Sequence, residues 1–198
     1  MRVASGTLGN IRIISGQWRR RRLEFPTPPG LRPTPDRVRE TLFNWLGARV
    51  AGAACLDLFA GSGALGFEAA SRGATKVVMV EQDSTVVRYL RRQIEVFGAD
   101  NVQVIAANAV AWVRRPRPGT MPLFDVVFLD PPYGSVNLDQ VCQDLERGDW
   151  LQGDALVYLE TGPGGASPRL SGSLVLKRYG HAGQVRYYLA GRRLRPSP

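Results

Sequence analysis

From Ala53 onward, short and almost wholly apolar runs alternate with stretches whose apolar positions recur at helical spacing. The runs are Cys55–Phe59, Val77–Val80, Val102–Ile105, Asp125–Leu129 and Ala155–Leu159. Their brevity and continuity predict strands buried on both faces. Between them, residues 63–71, 84–97 and 137–146 predict helices, the first two closed by Gly73 and Gly98, and a shorter helix opens at Asn108. Strands alternating with crossover helices predict a parallel sheet covered on both sides. Two further runs, Leu174–Tyr179 and Val185–Leu189, are joined through residues 180–183 and predict a closing hairpin with an antiparallel edge.

The N-terminal quarter has a different rhythm. Residues 1–10 read as a loose leader. Ile11–Ile14 is β-branched and alternating, 15–17 is turn-like, and Trp18–Phe25 returns as a second strand, which predicts a β-hairpin. Pro26, Pro28, Pro29, Pro33 and Pro35 form a stiff linker and a natural boundary. Asp36 is placed to N-cap a helix carrying Val38, Leu42, Phe43 and Leu46 on one face. The expected organisation is therefore residues 1–25 as a leader and basic hairpin, and 26–198 as one α/β domain.

Composition narrows the class. A chain of 198 residues with 44% hydrophobic content is long enough for one well-packed domain. No apolar run approaches the roughly 20 residues of a membrane helix, and Met1–Gly6 lacks the apolar core of a secretory signal. Cys55 and Cys142 have no metal-ligand spacing, so no metal site is expected, and a reduced cytoplasmic location fits. The net charge is +9, with only Lys76 and Lys177 as lysines. Codon bias accounts for arginine over lysine but not for the excess of bases over acids. Residues 1–24 carry six arginines against Glu24 alone. Arg12, Arg19, Arg20, Arg21 and Arg22, with Trp18 among them, are the expected nucleic-acid contacts.

Two motifs carry the chemistry. Gly61-Ser62-Gly63-Ala64-Leu65-Gly66 follows one strand and opens a helix, and Glu81 stands 20 residues after Gly61 at the end of the next strand. Glycines permit the tight turn, and the acid can accept from both hydroxyls of an adenosine ribose. That much suits a nicotinamide dinucleotide or S-adenosylmethionine equally. Asp57, four residues before Gly61, tips the balance toward the second, unless it only caps its own turn. A carboxylate there repels a pyrophosphate and favours the ammonium and sulfonium of a methionine moiety. Asn108 can pair with adenine or simply cap its helix. The second motif is Asp130-Pro131-Pro132-Tyr133, directly after a buried strand. An exocyclic amine on a base is a poor nucleophile and must be held in line with the methyl donor. Asp130 and the carbonyl of Pro131 can accept its hydrogens, and Tyr133 can stack on the base. Transfer leaves a strongly acidic ammonium that loses a proton readily, and Asp130 can take it. The base must be unpaired or flipped out.

Together with the segments Ile11–Arg19 and Leu31–Phe43, these residues resemble the RsmD family of guanine-N2 methyltransferases of small-subunit (16S) ribosomal RNA. The resemblance runs from about Ile11 to the closing hairpin. It implies a class I methyltransferase Rossmann-like fold, with a mostly parallel seven-stranded sheet, an antiparallel C-terminal edge hairpin and a small N-terminal hairpin. It implies S-adenosyl-L-methionine held by Asp57, Gly61, Gly63, Glu81, Gln82, Asn108 and Ala109, with Thr34 and Arg39 near the methionine end. Asp130, Pro131 and Tyr133 would hold the guanine. The partner would be ribosomal RNA or the assembling small subunit, met by a monomer. The alternatives are a DNA amino-methyltransferase, since an arginine-rich hairpin grips either polymer, and an inactive nucleic-acid-binding relative. Neither cysteine follows a proline, which argues against cytosine-C5 chemistry.

Overall fold

A computed structural model describes residues 8–26, 34–170 and 172–193. The proline-rich linker read at 26–35 lies mostly outside them, as do the first seven residues of the leader.

Seven strands form one sheet: β3 (Ala54–Asp57), β4 (Lys76–Glu81), β5 (Val102–Ala106), β6 (Phe124–Leu129), β7 (Leu151–Thr161), β8 (Leu174–Ala182) and β9 (Val185–Arg192). Their spatial order is β5-β4-β3-β6-β7-β9-β8. All neighbours run parallel except β9, which pairs antiparallel with both β7 and β8. The predicted doubly covered sheet with an antiparallel edge is therefore the observed one. Successive strand residues face opposite sides. Cys55, Val77, Met79, Val126 and Phe128 pack beneath α1 (Asp36–Leu46), α2 (Ala64–Ser71) and α3 (Ser84–Phe97). Leu56, Val78, Val80, Val127 and Leu129 pack beneath α4 (Ala109–Val113) and α5 (Leu138–Arg147).

The N-terminal hairpin departs from its expected bounds. β1 is Leu8–Arg12 and β2 is Arg22–Pro26, so the leader's last residues join the strand and Trp18 does not lie in one. Residues 15–20 are turns instead, with left-handed φ at Gly16 and Arg20. The turn sits on α2. Ser71 O accepts from Gln17 N at 2.8 Å, and Ser71 Oγ accepts from Trp18 N at 3.0 Å. A Cβ on Gly16 would lie 1.8 Å from Ser71 O, so only glycine allows this approach. Ile13, Trp18 and Leu23 belong to the same core as α1–α3. Asp36 does not cap α1. It is the first helical residue, following Pro35, and pairs instead with Arg39 at 2.7 Å.

Candidate active site

β3 and its two neighbours set the location. β4 lies on one side of β3 and β6 on the other, so the chain turns in opposite directions from this point, and a crevice opens at the carboxyl ends. Acids close the strands around it: Asp57 ends β3, Glu81 ends β4, Asp130 follows β6, and Glu160 lies near the end of β7.

On the β3–β4 side, Gly61 and Gly63 take left-handed φ of 48° and 77°, which turns the chain into α2. Gly61 N donates to Glu81 Oε2 at 2.9 Å, while Gln82 N and Asp83 N donate to Oε1, each at 2.8 Å. The Glu81 carboxylate is thus fixed at the crevice with Oε1 taken up by two amides and acceptor capacity left on Oε2. Asp57 is buried and accepts from Gly66 N at 3.0 Å. Its pKa is pushed up to about 7, first by burial, against the Gly66 hydrogen bond, and with help from the charge of Glu81. Asn108 caps α4 by accepting from Ala111 N, and its amide also donates to Gln82 Oε1 at 3.0 Å. Ala109 is buried behind it.

On the β6–β7 side, Pro131 is buried and Asp130 partly so. Thr34 Oγ1 donates to Asp130 Oδ2 at 2.7 Å, joining the segment before α1 to the corner. Burial holds the Asp130 carboxyl well above its ordinary range, and the charge of Glu160 pushes the same way. Tyr133 is 46% exposed, with its ring laid against Gly162. Its hydroxyl donates to Glu160 Oε1 at 3.1 Å. Glu160 escaped the sequence reading, although an acid closing an apolar strand was also the mark of Asp57, Glu81 and Asp130.

The residues expected to meet nucleic acid divide. Arg12 and Arg22 face each other across the hairpin. With Asn10, Ile11, Thr34, Pro35 and Asp36 they line a cavity of about 340 Å³. Like charges directly opposite are unfavourable, and Asp36 offsets them only partly, at 3.6 Å from Arg12. Arg19 and Arg20 are exposed on the turn. Arg21 is engaged within the fold: it donates to Val96 O at 2.8 Å and lies 4.1 Å over the Phe97 ring. Trp18 must be corrected. It is buried, packing edge-on against Phe67 and Phe97, and anchors the turn in the core rather than offering a face to nucleic acid. Arg39 is wholly buried between Asp36, Glu68 and the carbonyl of Arg12. Its Nε and Nη1 make no hydrogen bond among the described residues, although Nη1 lies 3.6 Å from Glu68 Oε2.

The donor set fits S-adenosylmethionine. Asp57, buried at the end of β3 and bonded to Gly66 N, sets a carboxylate beside the glycine turn, where it suits a cationic methionine end better than a pyrophosphate. The class that this fold and site define is the class I methyltransferases. The model of the family described as Conserved hypothetical protein 95 matches residues 11–191. The chain belongs to that family. A protein of Escherichia coli strain K12 named ribosomal RNA small subunit methyltransferase D is 44% identical over 181 residues, covering 91% of this chain and 89% of its own. A solved putative methyltransferase from Escherichia coli superposes with a TM-score of 0.83 at 42% identity, covering 94% of this chain and 100% of its own. A putative methylase from Haemophilus influenzae gives 0.78 at 38%, covering 93% and 99%. The resemblance read from the N-terminal segments and the corner is borne out. Among the described residues no helix is long and apolar enough to cross a membrane, and no acid, histidine and cysteine group could hold a metal ion.

Proposed function

We propose that this protein transfers the methyl group of S-adenosyl-L-methionine to the exocyclic N2 amine of a guanine in small-subunit (16S) ribosomal RNA. The observation that carries the reading is the Asp130–Tyr133 corner, held by Thr34 and Glu160 at the crevice beside the glycine turn. The 44% identity to a ribosomal RNA small subunit methyltransferase supports the choice of polymer. The bound cofactor supplies an electrophilic methyl group on a sulfonium. In this reading Glu81 takes the ribose hydroxyls, Asp57 the α-ammonium, and Gln82, Asn108 and Ala109 border the adenine. Arg39 and Thr34 serve the methionine end. Asp130 and the Pro131 carbonyl accept the hydrogens of the guanine amine, and Tyr133 stacks on the ring. Positioning and fixed dipoles provide most of the acceleration, because the amine needs orientation more than a strong base. Arg12, Arg19, Arg20 and Arg22 hold phosphates on the way to the cavity. A monomer working in the cytoplasm, where ribosomal subunits assemble, completes the picture.

The test is incubation with labelled cofactor and unmodified small-subunit particles, followed by nucleoside analysis. Label in N2-methylguanosine is expected, and its absence overturns the assignment. Asp130→Ala should abolish transfer and leave cofactor affinity within about threefold. Normal turnover by that variant would make the corner merely structural.

A further inference from the structure

We propose that Glu160 is the terminal acceptor of the proton released on methyl transfer, reached through Asp130. The inference rests on the reading of the corner as an amine-methylating site. Glu160 is only 3% exposed, yet has no ion-pair partner among the described residues. The groups that face it are Tyr158 on its own strand at 2.8 Å, Tyr133 from the loop after β6 at 3.1 Å, Asp130 itself, and Tyr187 paired with it on β9. Two adjoining carboxyls, one buried and the other partly so, disfavour ionising together, so they share one proton. Asp130 carries it. Two hydroxyls, of Tyr158 and Tyr133, donate to Glu160 and favour its ionised form, whereas Asp130 accepts from Thr34 alone, and burial raises it above its ordinary range. The resting Asp130 is therefore an acid. Its Oδ2 accepts from Thr34, which leaves the other oxygen to carry the proton toward Glu160, its neighbour where Leu129 pairs with Leu159.

An acid in this state can still accept a hydrogen bond from a guanine amine, but it cannot take up a second proton and keep the first. The nitrogen–methyl bond forms as the sulfur–methyl bond breaks. One proton leaves the nitrogen for the Asp130 oxygen that had faced Thr34. The proton already on Asp130 passes to Glu160. The positive charge of the sulfonium and the negative charge of Glu160 both disappear, leaving a methylated amine, a neutral thioether and two protonated carboxyls. Glu160 touches no substrate atom and acts only through Asp130.

Single-turnover rates decide the matter, measured across pH on the full chain with saturating S-adenosylmethionine and unmodified small-subunit particles. The parent rate should fall as pH drops below a value above the usual glutamate range, since a protonated Glu160 cannot accept. Glu160→Gln should slow transfer by about a hundredfold and remove that acid limb, with cofactor affinity by calorimetry unchanged. Glu160→Asp should recover at least a tenth of the parent rate. Tyr133→Phe keeps the ring but removes one donor to Glu160, so the acid limb should move to higher pH. This variant and Glu160→Asp carry the test if Glu160→Gln does not fold. The proposal is overturned if Glu160→Gln runs within threefold of the parent or keeps the acid limb. It is also overturned if Tyr133→Phe loses as much rate as Glu160→Gln with its profile in place, since Glu160 would then only brace the tyrosine. A parent protein that transfers no methyl group overturns the functional reading as a whole.

Discussion

Burial raises the Asp57 carboxyl to about 7, against its Gly66 hydrogen bond and with a contribution from Glu81. A cationic ligand needs this group ionised. Affinity for S-adenosylmethionine should therefore weaken below pH 7, by up to about tenfold per pH unit. Calorimetry near pH 7 in buffers of different ionisation heat should detect a released proton. The same shift has a cost for the ligand-free fold. The folded value lies above the ordinary 3.8, so the folded state binds more protons, and its stabilising contribution is lost as pH rises toward about 7. The upper bound of that loss is about 4 kcal/mol. Asp57→Asn should thus melt no lower than the parent at pH 8 while losing about tenfold or more in cofactor affinity. A melting point several degrees lower would contradict this account. At Gly162, an added Cβ would sit 2.4 Å from Tyr133 Cγ and 2.6 Å from Cδ1. Gly162→Ala should displace the ring and slow transfer by about ten- to a hundredfold, with little change in melting temperature.

Among the elements, the N-terminal hairpin was the least legible in the sequence. Its strands were foreshadowed by Ile11–Ile14, but what fixes it lies more than fifty residues away. Glu68 is buried in α2 and accepts from Ile14 N at 2.8 Å and Ser15 N at 3.0 Å, while Arg72 donates to it at 2.7 Å. Arg39 stands 3.6 Å from the same carboxylate. Nothing local to Trp18 distinguishes a core anchor from a base-stacking platform; its contacts with Phe67 and Phe97 exist only once α2 and α3 are in place. The strands β3 to β7, by contrast, were legible because an unbroken apolar run needs no distant partner to identify it. Glu160 went unread because the run before it looked complete without it. Glu68→Gln leaves the buried Arg39 charge poorly compensated and should cost about 3–5 kcal/mol. Hydrogen exchange should then quicken first in residues 13–22. Trp18→Ala should cost a similar amount, about 3–5 kcal/mol, in chemical denaturation.

At the scale of the whole molecule, the net charge of +9 predicts RNA affinity that falls steeply with salt. The fold determines which arginines contribute. Replacing Arg19, Arg20 and Arg22 with glutamine should lower the log–log salt slope by about 2–3, measured by filter binding, and leave melting nearly unchanged. Arg21→Gln should do the reverse, since that side chain is spent on Val96 and Phe97. Deleting residues 1–24 cannot separate these effects, because it would also strip Ile13, Trp18 and Leu23 from the main core. The shared core bears on how such an enzyme changes its target. A foreign recognition module spliced in place of the hairpin would arrive without the α2 surface that seats Gly16 and would leave Glu68 and Arg39 facing a void. New specificity is therefore open to this chain through exchange of surface arginines one at a time, and closed to it through the shuffling of parts.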